Sequence, residues 1–137
     1  MNTKISFKMG LQYIFKKKCN DFVLIIEERP NFVLTLTTLM ELLKSSGNNA
    51  QSDLIYKLID LLNQNNLSDF VKQINGVDMW GGSGAVWEVY IEDKKVATEF
   101  EKEIITLIRL MEKTEIIGKG IKPIKKFFEK NLKQDKV

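Results

Sequence analysis

The chain has 137 residues, 44% of them hydrophobic and 28% charged, which suits one globular domain with a contiguous core. It has no histidine, a single cysteine (Cys19) and a net charge of +3; these remove the commonest general base and zinc ligand, every Ser-His or Cys-His nucleophile, Cys-rich metal sites and an internal disulfide. No apolar run approaches the ~18 residues of a membrane span, and the densest, Phe22 to Ile26, is broken by Glu27, Glu28 and Arg29 and is too short for a signal-peptide core, so a cytoplasmic protein without membrane insertion is expected.

Residues 1–10 alternate apolar and polar positions and read as a short strand or a disordered lead-in ending at Gly10. Leu11, Ile14, Phe15, Phe22, Ile25 and Ile26 then recur at helical spacing and predict a first helix ending near Arg29, with Pro30 marking a boundary or a kink. Phe32, Leu36, Leu39, Met40 and Leu43 carry a second helix to Lys44, stopped by the Ser-Ser-Gly-Asn-Asn run around Gly47. A third helix spans about 50–64, with Leu54, Ile55, Leu58, Ile59, Leu61 and Leu62 as its stripe. Ser68 is the expected N-cap of a short fourth helix that Asn75-Gly76 closes.

The segment 86–91 alternates enough for a strand, with Trp87, Val89 and Ile91 on one face, yet a lone strand needs a partner; a turn of helix or an extended connector is the preferred reading. Ala97, Phe100, Ile104, Leu107, Ile108 and Met111 define the next helix, expected to end near Gly118, and Pro123 suits the first turn of a last helix that frays from about Lys133. Helices joined by short polar turns give an all-α bundle of five to six helices in one domain spanning 1–137, with disorder expected at most in 1–10 and 133–137. The wide apolar stripes also permit a helical homodimer.

Charge is unevenly spread. Residues 1–20 hold five lysines and no acid, 119–137 hold seven lysines against Glu129 and Asp135, and the middle is acidic. Two basic ends could serve nucleic acid or an anionic surface. However, Lys122, Lys125, Lys126, Lys130 and Lys133 interleave with Ile121, Ile124, Phe127, Phe128 and Leu132 as the wet face of an amphipathic helix, and arginine occurs only at Arg29 and Arg109.

The most distinctive stretch is 75–88. It holds both tryptophans, Trp80 and Trp87, and four of the eight glycines, just before the penultimate helix. Gly81-Gly82-Ser83-Gly84 lacks the Lys-Ser/Thr pair of a phosphate loop and the spacing of a dinucleotide fingerprint. Ala85 stands where a nucleophile elbow needs glycine. Asp78 and Glu88 could converge as a carboxylate pair across the turn, but no pattern of oxygen ligands accompanies them, so neither catalysis nor a metal nor a cofactor is expected. Two readings remain: the glycines let the chain turn tightly while the tryptophans pack on the core, or Asp78, Trp80, Gly81, Gly82, Ser83, Gly84, Trp87 and Glu88 form a partner-binding hot spot whose acidic rim also takes in Glu92 and Asp93.

The run from Val77 through Trp80-Gly81-Gly82-Ser83-Gly84-Ala85-Val86-Trp87-Glu88-Val89-Tyr90, followed by Phe100, Ile104 and Leu107 at helix spacing, resembles small uncharacterised bacterial helical proteins that carry a G-G-x-G-S/A-x-x-D/E turn. That resemblance covers roughly the last 60 residues and implies a small cytoplasmic protein-binding module, an immunity-type toxin inhibitor being its most concrete form; binding of nucleic acid through the lysine-rich ends is the alternative.

Overall fold

A computed structural model describes the backbone of residues 3–135 and the side chains of residues 22–134. Among the described residues the fold is all-α and contains no strand. Its helices are α1 (Thr3–Ser45), α2 (Asn49–Asn63), α3 (Leu67–Ile74), α4 (Val77–Trp80), α5 (Lys94–Lys113) and α6 (Lys122–Asp135), with a 3-10 turn at Val86–Glu88. The face drawn from Leu11, Ile14 and Phe15, and the surroundings of Cys19, lie outside the described side chains.

The expected break at Pro30 does not occur: the two helices predicted around it are one helix, α1, which also takes in the segment from Thr3 to Gly10. A proline inside a helix costs about 3 kcal/mol. Packing outweighs it, because Ile25 and Phe32 on either side are both fully buried, and burying two such side chains is worth roughly 3–6 kcal/mol together. Ending the helix at residue 30 would swing one of them out of the core. The Pro30 ring is itself exposed.

Two long antiparallel contacts organise the bundle. α1 and α2 form a hairpin closed at one end by Ser46–Asn48 and at the other by the Arg29 guanidinium, which donates to the Asn65 side-chain oxygen. α5 runs antiparallel to α1, and Lys113 at its end bonds Glu28 at 2.6 Å. That ammonium, with the Asn31 amide 2.8 Å away, holds the Glu28 carboxyl below its ordinary range. α6 folds back along α5, joined by Lys125 to Glu112 at 2.8 Å and Arg109 to Glu129 at 3.9 Å. Between these helices lie Leu36, Leu39, Leu43, Leu58, Leu62, Ile104, Leu107 and Met111, with Phe32 and Phe70 meeting edge to face at 5.4 Å.

Helix ends correct two further expectations. Asn66, not Ser68, is the N-cap residue of α3, and its side-chain amide bonds Asp69 in the first turn. α5 ends at Lys113 rather than near Gly118, because Glu115 takes the left-handed conformation (φ 61°) and the Ile116 N–H reaches back to the Met111 carbonyl at 3.0 Å. α1 and α2 stop by the same device at Gly47 (φ 83°) and Asn65 (φ 58°). At α5 the buried Ile116 and the Thr114 hydroxyl, bonded to Leu110 at 2.7 Å, offset the ~1 kcal/mol that a left-handed glutamate costs.

Glu103 on α5 is half-buried one turn from Glu99. Burial first, then the Glu99 charge, raises its carboxyl above the ordinary range. An acid raised in the folded state destabilises while ionised, so its cost is present above the folded value and disappears as pH falls to the unfolded value. Glu103→Gln is therefore expected to stabilise the protein by about 0.5 kcal/mol at neutral pH and by nothing under acid conditions where both states are protonated. Urea melts of both proteins at the two pH values check this; an equal offset at both would refute it.

Candidate functional site

Residues 75–93 cross the ends of α1, α2 and α5, and hydrogen bonds from the tryptophans and from α2 fix their path. The Trp80 indole N–H donates to the Ile74 carbonyl at 2.6 Å, pinning the single turn of α4 back onto the end of α3. The Trp87 indole N–H donates to the Gly81 carbonyl at 2.8 Å, closing the loop from 81 to 87 across its base. Trp87 also packs edge to face on Phe127 and Phe128 of α6, at 6.1 and 6.3 Å. Both indoles are partly buried against the core.

The glycines have separate reasons. The Gly81 N–H bonds the Val77 carbonyl at 2.7 Å, and a Cβ on Gly81 would lie 2.6 Å from that same oxygen. Gly84 has φ 87°, at the third position of a turn that the Ala85 N–H closes onto the Gly82 carbonyl at 3.0 Å, as a type II turn requires. Gly82 has no heavy atom near the place a Cβ would take. From α2, Gln51 donates to the Gly84 carbonyl at 3.0 Å, and Asn48 donates to the Tyr90 carbonyl at 3.3 Å. Below the corner, Asn75 ties the end of α3 to the segment before α6, donating to the Ile116 carbonyl at 2.8 Å and accepting from the Gly118 N–H at 2.9 Å.

Of the eight candidate site residues, Asp78, Gly82, Ser83, Gly84 and Glu88 are exposed, whereas Trp80, Gly81 and Trp87 are partly buried. Asp78 and Gly84 come together over α2, where they line a cavity of about 210 Å³ with Gln51, Asp53 and Lys57. No hydrogen bond or ion pair joins Asp78 to Glu88 among the described residues. Nor is any group of three His, Cys, Asp or Glu placed to hold a metal ion among them.

The most exposed apolar side chains of the corner stand outside the eight candidate residues: Tyr90 is 81% exposed and Val77 79%. The signal for Tyr90 was present. After the 3-10 turn the backbone is extended, so Val89 and Ile91 turn inward while Tyr90 and Glu92 turn outward; within the turn itself Trp87 is partly buried and Glu88 exposed. Beside them an open cavity of about 420 Å³ is lined by Ser45, Ser46, Ile91, Glu92, Asp93 and Val96. Asp93 also caps α5, accepting from the Val96 N–H at 3.0 Å.

No described helix is long and apolar enough to cross a membrane. Compared with protein families, with curated proteins and with solved structures, the chain has no significant match in any of the three.

Proposed function

We propose that this protein is a non-catalytic, cytoplasmic protein-binding module that receives a basic partner on the outer side of the glycine-tryptophan corner; an immunity-type toxin inhibitor is the most concrete form of this role. The observation that carries the reading is Tyr90, almost fully exposed on a backbone held by Asn48, with Glu88 and Glu92 turned out on either side of it. A tyrosine on a rigid loop gives large contact area at small entropic cost, and surrounding acids steer a cationic partner into register. In this reading Trp80 and Trp87 are the scaffold of the site, and Val77, Asp78, Glu88 and Tyr90 are its contact surface. The turn's resemblance to small bacterial helical proteins points the same way.

The test is capture of partners from cells followed by titration of whatever is recovered. Tyr90→Ala and Glu88→Lys are each expected to weaken binding about tenfold or more, while Lys130→Glu on α6 leaves it unchanged. Should both corner variants bind every recovered partner as tightly as the wild type, the reading is overturned.

The alternative, an anionic ligand such as nucleic acid, is supported by Lys122, Lys126, Lys130 and Lys133, all exposed on the α6 face opposite the buried Ile124 and Phe128. Steep salt dependence of binding would be its signature.

A further inference from the structure

The groove between α5 and α6 carries positive charge that the fold does not use. Residues 102, 106, 109 and 113 of α5 and residues 122, 126, 129 and 133 of α6 recur three or four apart, one stripe on each helix. The stripes face one another: Lys102, Arg109, Glu129 and Lys133 border a single cavity of about 380 Å³, with Ile105 and Leu132 as its apolar lining. Farther along the same groove Lys125 bonds Glu112 at 2.8 Å, and Lys113 is spent on Glu28.

The remaining cations have no such partner. Lys102, Lys122, Lys126 and Lys133 are exposed, and among the described residues no hydrogen bond or ion pair engages their ammonium groups. Arg109 is one of only two arginines in the chain, and the other, Arg29, is tied to Asn65. The Arg109 side chain is 63% exposed and meets Glu129 at 3.9 Å, beyond hydrogen-bonding length, so its planar fork of donors is unspent.

We propose that this groove holds the phosphate backbone of a nucleic-acid strand, with one phosphate group in the cavity between Lys102, Arg109 and Lys133. The proposal rests on the anionic reading of α6 given above and narrows it from a lysine-rich face to one groove. Two observations choose the occupant. The cations lie in two rows side by side over about 17 Å of helix, which suits a chain of phosphates better than a single anion. A membrane surface would instead call for protruding apolar side chains among the bases, yet Ile105 is buried, Leu132 is half-buried, and the exposed Phe127 sits on the flank of α6 turned to Trp87. An arginine fork and lysine point charges grip phosphate oxygens without reading bases, so binding independent of sequence is expected.

Fluorescence anisotropy of a labelled oligonucleotide of about 12 nucleotides, titrated with the full chain from about 50 to about 200 mM salt, tests this. The expected dissociation constant is about 10 to 100 µM near physiological salt, and the slope of log affinity on log salt is about −2 to −3, that of three or four neutralised phosphates. Lys102→Ala combined with Arg109→Ala should weaken binding about tenfold and flatten the slope by about one. Glu129→Gln removes the one acid bordering the cavity and should tighten binding about threefold. Lys57→Ala combined with Lys72→Ala removes the same charge outside the groove and should change affinity less than about twofold. Lys102 and Arg109 are exposed helix positions that accept alanine, and unchanged far-UV circular dichroism keeps the variants comparable.

No binding at the lowest salt would overturn the groove and the anionic reading together. A groove variant that binds as tightly as the wild type, or a control that weakens binding equally, would overturn the groove alone. Equal affinity for polyglutamate of the same length, or binding to phosphatidylserine vesicles in preference to the oligonucleotide, would overturn the nucleic-acid assignment. The groove shares no residue with the Tyr90 corner, so either surface can fail without the other.

Discussion

Replacing Trp87 with alanine is expected to lower stability by about 3 kcal/mol, the low end for removing a large aromatic because the indole is only partly buried. Two losses add up. The ring leaves a void between the corner and α6, where it meets Phe127 and Phe128 edge to face. The Gly81 carbonyl also loses the indole N–H that serves it at 2.8 Å. Trp87→Phe separates the two, since it keeps an aromatic ring in the slot and should cost only about 1 kcal/mol. Urea unfolding followed by circular dichroism measures both. A Trp87→Ala loss below about 1 kcal/mol would mean that the indole is dispensable to the fold, which would return it to the list of partner contacts.

Gly81→Ala is expected to cost about 2 kcal/mol, whereas Gly82→Ala, one residue along, should be close to neutral. At Gly81 a methyl group would sit 2.6 Å from the Val77 carbonyl, and backbone on both sides of that clash must move. At Gly82 the same methyl group meets nothing within 4 Å. Gly84→Ala falls between, at about 1–2 kcal/mol, from backbone strain at φ 87° rather than from contact. Thermal melts of the three variants give the ordering directly. Equal losses at 81 and 82 would contradict the hydrogen-bonded turn described here.

These two sets of variants divide the corner into a frame and a display. Trp80, Gly81, Gly84 and Trp87 set the backbone, and their substitution should act on stability. Tyr90 and Glu88 are exposed side chains on that frame, so their substitution should act on binding with little loss of stability. The same division separates a partner site from an ordinary tight turn.

Periodicity located most of the helices. Leu54, Ile55, Leu58, Ile59 and Leu62 mark α2, and Phe100, Ile104, Leu107, Ile108 and Met111 mark α5, since one face must be apolar if it is to leave water. Local chemistry was a poorer guide wherever tertiary energy exceeded it. Pro30 reads as a breaker, yet the core contacts of Ile25 and Phe32 carry α1 through it. Gly118 reads as a helix stop, yet Glu115 ends α5, because its neighbours Thr114 and Ile116 gain burial and hydrogen bonds that offset the strain.

The all-α class and the positions of α2, α5 and α6 follow from the sequence by itself, because each depends only on the spacing of apolar residues along the chain; the spacing within 86–91 fits a strand, a turn of helix or an extended connector alike, and the structure chose a 3-10 turn followed by extended backbone. Which way the tryptophans face was a matter for the tertiary structure alone. Trp80 and Trp87 are equally able to anchor a core or a partner, and the choice rests on groups distant in sequence or on backbone carbonyls: Phe127 and Phe128 on α6, the carbonyls of Ile74 and Gly81, and the amides of Asn48 and Gln51 that hold the corner against α2. Each indole N–H finds a carbonyl only six residues back, through a local fold of the corner that apolar spacing does not encode, and the contact of Trp87 with α6 needs the packed helices.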